Sequence, residues 1–160
     1  MSAIRTITEF QAEKVERIAL ALAHFVATTP EDRLHWRPAA QANSDTRSVL
    51  DQIGECIVTN RRVAALLRGQ SAPALEEPPA LSGSRQAGDA LIASARDLAG
   101  AMRALDDAAL ERTFASGRGP VSGAVLIEAP YRNMAYHAGQ VNFIQRLLGD
   151  TTFHTPDTWF

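Results

Sequence analysis

Apolar residues recur every three to four positions in four separate stretches of the chain, the spacing that gives a helix one buried face. The first predicts a helix from about Thr6 to Thr28, with Ile7, Phe10, Val15, Ile18, Leu22, Phe25 and Val26 as its stripe and Thr8 as its N-cap. The second runs from about Thr46 to Leu67, with Val49, Leu50, Ile53, Cys56, Ile57, Val63 and Leu67 inward and Gly69 as a stop. The third runs from about Ser84 to Leu105, with Leu91, Ala95, Leu98 and Met102 inward. The fourth starts at Val121 or Ser122 and ends at Leu148, before Gly149. Pro130 lies inside it, so a kink, or a start nearer Pro130, is expected. Thr28 to Pro38 reads as a loop carrying two residues of buried type, Leu34 and Trp36, and the Pro-rich stretch Gln70 to Ser84 reads as exposed. Ser116 to Pro120 reads as a turn, and no stretch has strand-like alternation of any length. The pattern predicts an all-α four-helix bundle, one domain over residues 1–160, whose first loop is long enough to cross the bundle end.

The fourth helix breaks the rule that its own periodicity sets. Steps of three and four from Pro130 pass Asn133, His137, Gln140, Ile144 and Leu147, so an Asn, a His and a Gln occupy a seam that ought to be apolar. A buried polar group costs a few kcal/mol unless it finds a partner. Asn133 and His137 are four apart and meet on one face, the geometry of two ligands reaching one metal. Tyr136 and Asn142 flank them. On the second helix Gln52 can face inward, with Glu55 three residues on and Asn60 further along. If these two helices are neighbours, Gln52, Glu55, Asn133 and His137 converge. The plainer alternative is that the amides fix helix register, as a buried Asn does in coiled coils. Glu55 also has Arg62 and Arg132 as candidate partners on a solvated face.

Composition narrows the classes. The chain is 46% hydrophobic and 21% charged, ordinary for a soluble globular protein. A net charge of -2 gives no footprint for nucleic acid. Lys14 is the single lysine against fifteen scattered arginines, which points to a GC-rich coding genome rather than a phosphate-binding surface. No apolar run approaches the roughly 18 residues of a membrane span, and the N-terminus has no signal-peptide core, so a bacterial cytoplasmic protein is expected. A lone cysteine, Cys56, excludes an intrachain disulfide and a Cys-based zinc cluster.

Tyr136 to Asp150, Y-H-A-G-Q-V-N-F-I-Q-R-L-L-G-D, resembles the last helix of DinB-like (DinB/YfiT-like) proteins. R-S-V-L-D-Q-I-G-E-C-I-V-T-N-R-R resembles their second helix, and E-D-R-L-H-W-R-P the segment before it. The resemblance implies a four-helix bundle with one metal held by three histidines, one from helix two and two from helix four. It further implies homodimers and, for several members, transferase or hydrolase activity with low-molecular-weight thiols. Carried over by position, His137 stands where the second histidine of helix four belongs, Asn133 where the first belongs, and Gln52 where that of helix two belongs. On this reading His137, Asn133 and Gln52 are the metal positions for Zn, Ni or Mn, and Glu55 is an added ligand or a catalytic base. Tyr136, Gln140 and Asn60 complete the pocket. His154 is expected to be a mobile terminal residue, the alternative being that it folds back over the bundle end, and Trp159 and Phe160 point to a tail that docks, for instance on a partner subunit.

Three functions follow. A metal-dependent thiol transferase or hydrolase needs bound metal. A metal-free small-molecule binder needs a cavity of roughly 300 Å³ or more beside His137. A scaffold dimer with a vestigial pocket needs that cavity closed, with Asn133, His137 and Gln52 bonded to one another.

Overall fold

The computed structural model describes residues 6–38, 46–71, 77–116, 119–154 and 156. Four helices carry the fold: α1 (Ile7–Ala27), α2 (Val49–Leu67), α3 (Ser84–Arg103) and α4 (Gly123–Leu147). Short 3-10 turns follow α1 at Glu31–Arg33 and α3 at Asp107–Leu110, and a two-stranded antiparallel hairpin, β1 (Thr113–Ser116) and β2 (Gly119–Ser122), leads into α4.

The helix ends are fixed by side chains that satisfy the free N–H groups of the first turn. Thr6 Oγ1 accepts from Glu9 N at 3.1 Å, so α1 starts one residue after Thr6 and Thr8 is not its cap. Ser48 and Asp51 form a reciprocal capping box, which starts α2 at Val49 rather than Thr46. Ser122 Oγ accepts from Val125 N at 3.4 Å at the head of α4. That helix runs unbroken through Pro130, and the alternative start near Pro130 is not used. Gly69 and Gly149 take the left-handed backbone, φ 73° and 91°, just past α2 and α4.

The direction of each helix follows from its bonds. Arg103, at the end of α3, reaches Glu9 and Glu16 in the first half of α1, so these two helices are antiparallel. Gln145, near the end of α4, donates to Phe25 O near the end of α1 at 2.9 Å, so α4 runs parallel to α1. Leu50 N donates to Leu34 O, and Ser84 N donates to Glu31, so α2 and α3 both start where α1 ends. They are therefore parallel, and the connection between them returns along α2, with Pro78 packed on Gly54. Helix α1 packs on α3 and α4, and α2 packs on the same two, so α1 lies diagonal to α2 and α3 diagonal to α4. The first loop thus crosses the bundle end, and the hairpin lies on the second diagonal connection.

The core fills the centre with Val15, Leu22 and Phe25 of α1, Ile53 and Ile57 of α2, Leu91, Leu98 and Met102 of α3, and Ile127, Met134 and Val141 of α4. Leu34 is fully buried in the first loop. Two expected core residues of α1 lie outside: Ile7 is 60% and Phe10 50% exposed. The buried line of α1 runs instead through Thr8, Ala12, Val15, Ala19, Leu22 and Val26, which turns the other two to the flank. Leu147 is likewise 48% exposed, because the buried face of α4 is centred on Met134, Ala138, Val141 and Gln145. The hairpin escaped the pattern because each strand has four residues, too short for alternation to show. No described helix is long and apolar enough to cross a membrane.

Gly123, the first residue of α4, has the tightest packing of any described glycine. A Cβ there would lie 2.0 Å from Ala109 O, a backbone atom that cannot swing away. Gly123→Ala is expected to destabilise the fold by about 2–3 kcal/mol, read as a lower urea midpoint with an unchanged slope.

Candidate functional site

An open cleft of about 850 Å³ lies between α2 and α4, beside the first half of α2. Gln52 and Glu55 line it from α2; Arg132, Asn133, Tyr136, His137 and Gln140 line it from α4; Thr46 and Arg47 line it from the segment before α2. Ala129, Phe143, Ile144 and Pro38 supply apolar wall. The polar seam of α4 is therefore not its core line but the edge of its buried face, where α4 borders the cleft.

His137 is 3% exposed and sits at the floor. Its Nδ1 lies 3.1 Å from Gln52 Oε1 and 2.8 Å from Gln140 Oε1. Both partners are carbonyl oxygens, so Nδ1 carries the proton and donates to the pair. That fixes the tautomer and leaves Nε2 as a bare lone pair. Nε2 has no hydrogen-bond partner, and Glu55 Oε1 stands 3.5 Å from it. Burial pushes the His137 pKa below the ordinary imidazole value; the bond to Gln140 opposes this and the Arg47 charge adds to it. The ring is thus neutral near pH 7.

Glu55 forms its ion pair with Arg47, not with Arg62 or Arg132. Arg47 precedes the Ser48 cap, so nothing in the helix period pairs it with Glu55; only the turn of the chain into α2 brings it over. That turn is itself held, since Arg37 lies 2.9 Å from Asp51 Oδ2. Burial works against the Asp51 charge, but bonds from Ser48 and the Arg37 charge outweigh it and hold this carboxyl below its usual value. Asn133, half-buried one turn before His137, has an Oδ1 with no partner. Tyr136 is 66% exposed at the rim, its ring edge-on to His137.

Five positions singled out with His137, namely Gln52, Glu55, Asn133, Tyr136 and Gln140, are brought together around it. Asn60 is not. It is fully buried on the other side of α2, where Nδ2 donates to Ser94 Oγ at 3.0 Å. Cys56 is buried and burial pushes its thiol pKa up, so it is no nucleophile. His154 bonds Asp150 at 2.6 Å at the end of α4 and does not line the cleft; Trp159 and Phe160 lie outside the described residues. Sequence reasoning missed Arg47, for the reason given, and Gln145, whose amide clasps Phe25 O and the hydroxyls of Thr28 and Thr29.

The DinB superfamily model matches residues 15–141, most of the chain. The chain belongs to the DinB superfamily. Its fold is similar to that of a conserved protein from Enterococcus faecalis, with a TM-score of 0.74 and 14% identity over 92% of this chain and 100% of the other. It is also similar to a DinB-like protein from Bacillus cereus, with a TM-score of 0.66 and 15% identity over 93% and 99% of the two chains. No curated protein matches it.

The donor set fits a tightly held Zn, Ni or Mn ion poorly. Among the described residues no three of His, Cys, Asp and Glu converge on one point. Gln52, expected from the resemblance at the helix-two ligand position, has its carbonyl oxygen on His137 Nδ1, and Glu55 already carries Arg47. What remains is one imidazole, one carboxylate oxygen and one amide oxygen, the last a weak donor for these metals.

Because the unfolded chain takes up a proton at His137 near the ordinary value of 6.5 and the folded chain only below it, the unfolded state binds more protons in that window. Stability should therefore fall as pH drops below about 6.5. His137→Asn is expected to remove this part of the dependence, checked by urea midpoints of both proteins from about pH 7.5 to 5.5.

Proposed function

We propose that this DinB superfamily protein binds a small polar molecule in the cleft beside His137, without a resident metal. The observation that carries the reading is the orientation of Gln52. Its carbonyl oxygen, the side-chain atom able to meet a metal, faces His137 Nδ1–H, which gives it the part of orienting the imidazole. The cleft volume lies well within the range of small-molecule sites. A purely structural pocket would be closed, with its amides mutually bonded; here the cleft is open and Asn133 Oδ1 is unpartnered.

The metal-dependent reading has one observation in its favour. A histidine whose Nδ1–H is held by oxygen acceptors presents Nε2 in the form that metals bind. A thiol transferase or hydrolase of this kind would use His137 Nε2, Glu55 and Asn133, with a low-molecular-weight thiol as second substrate. The ion pair of Glu55 with Arg47 works against it, since a guanidinium beside the carboxylate repels a dication.

Elemental analysis of untagged protein separates the two. Binding without metal predicts substoichiometric Zn, Ni and Mn and a Tm that chelation leaves unchanged. About one equivalent of metal, lost in His137→Ala, together with a fall in Tm on chelation, would overturn it.

A further inference from the structure

The fully buried side-chain atoms that lack a hydrogen-bond partner beside the cleft are acceptors. With its proton on Nδ1, His137 offers only a lone pair at Nε2, and this atom is buried without a partner. Asn133 Oδ1, one helical turn away on the same face, is buried without a partner too. Glu55 Oε1 faces Nε2 across 3.5 Å, two electron-rich atoms with no hydrogen between them. Such an arrangement is unfavourable in isolation and becomes favourable when a donor with several hydrogens lies between the acceptors.

From this we infer that the cleft recognises the ammonium group of a small primary amine, with His137 Nε2, Glu55 Oε1 and Asn133 Oδ1 as its three acceptors. The inference rests on the metal-free reading of the same site. An ammonium carries three N–H donors, one for each acceptor, and a charge that matches the Glu55 carboxylate. Arg47 engages the other oxygen of Glu55, and the two side chains are 44% and 36% exposed, so water screens both charges of the pair and a monocation is repelled less than a dication would be. The other charged group on the cleft, Arg132, lies at its exposed rim. The apolar wall of Ala129, Phe143, Ile144 and Pro38 suits a short aliphatic body behind the ammonium.

The test is a titration of the full chain, with metal content first measured and then removed by chelation. The probes are n-butylammonium, butyltrimethylammonium, 1-butanol and butyrate, followed by the His137 imidazole resonance, which is assigned by its loss in His137→Asn. The expected result is a saturable shift with n-butylammonium alone, at affinities on the order of millimolar for so small a ligand. Glu55→Gln, which keeps the shape and removes the charge, should weaken it about tenfold or more. An equal response to butyltrimethylammonium would show that charge and not N–H donation is read, and would overturn the assignment. An equal response to 1-butanol would overturn it in favour of a neutral donor, and no response to any probe would overturn it outright. A stoichiometric metal in the untreated protein would instead refute the metal-free reading, so the two failures are distinct.

Discussion

One proton, on Nδ1 of His137, ties the site together. It is shared between Gln52 of α2 and Gln140 of α4, so it sets how the two helices meet, how the ring is turned and which nitrogen is left bare. Nε2, Glu55 and Asn133 take their chemical meaning from that choice. Were Nε2 to carry the proton, it would donate to Glu55 and the floor would be closed by that hydrogen bond. With the proton on Nδ1, the floor is a set of acceptors beneath an open cleft.

The helix seams hold three polar clusters, and each is resolved differently. Gln145 is fully used: its amide bonds a carbonyl and two hydroxyls at the end of α1 and so locks the parallel pair of α1 and α4. Asn60 is half used, with Nδ2 on Ser94 and Oδ1 unpaired in the core between α2, α3 and α4. His137 is anchored on one nitrogen and open on the other. Of the three central residues, His137 is the one that lines the 850 Å³ cleft and has a buried ring nitrogen left open beside it, and that separates a candidate site from polar groups that fix packing.

Helix number, the approximate helix limits and most inward faces were legible in the sequence, because a 3.6-residue period reports burial directly. The meeting of Gln52, Glu55, Asn133 and Gln140 at His137 followed from the same period once α2 and α4 were taken as neighbours. Around the candidate site, three things were not legible. Arg47 reaches Glu55 from outside the helix, through a turn set by Ser48, Asp51 and Arg37, and no spacing rule covers such a path. The inward turn of Asn60 was visible, but not that α3 rather than the cleft receives it. Which way the Gln52 amide points depends on what it meets, and that orientation separates a ligand from a positioning residue. The apolar stripe of α1 was displaced by one flank, because Ile7 and Phe10 share the periodicity of the buried line without lying on it.

The diagonal placement of α1 and α2 has a consequence for synthesis on the ribosome. Helix α1 emerges first, yet the helix that follows it is not its packing partner. Its apolar face, with Leu22 and Phe25 at the centre, has no native surface to cover it until the chain from Ser84 onward has been made. The fold is therefore closed by contacts distant in sequence although its four main elements are helical, and folding slows as contacts grow less local. A nascent chain halted before α3 would leave that face without its native cover.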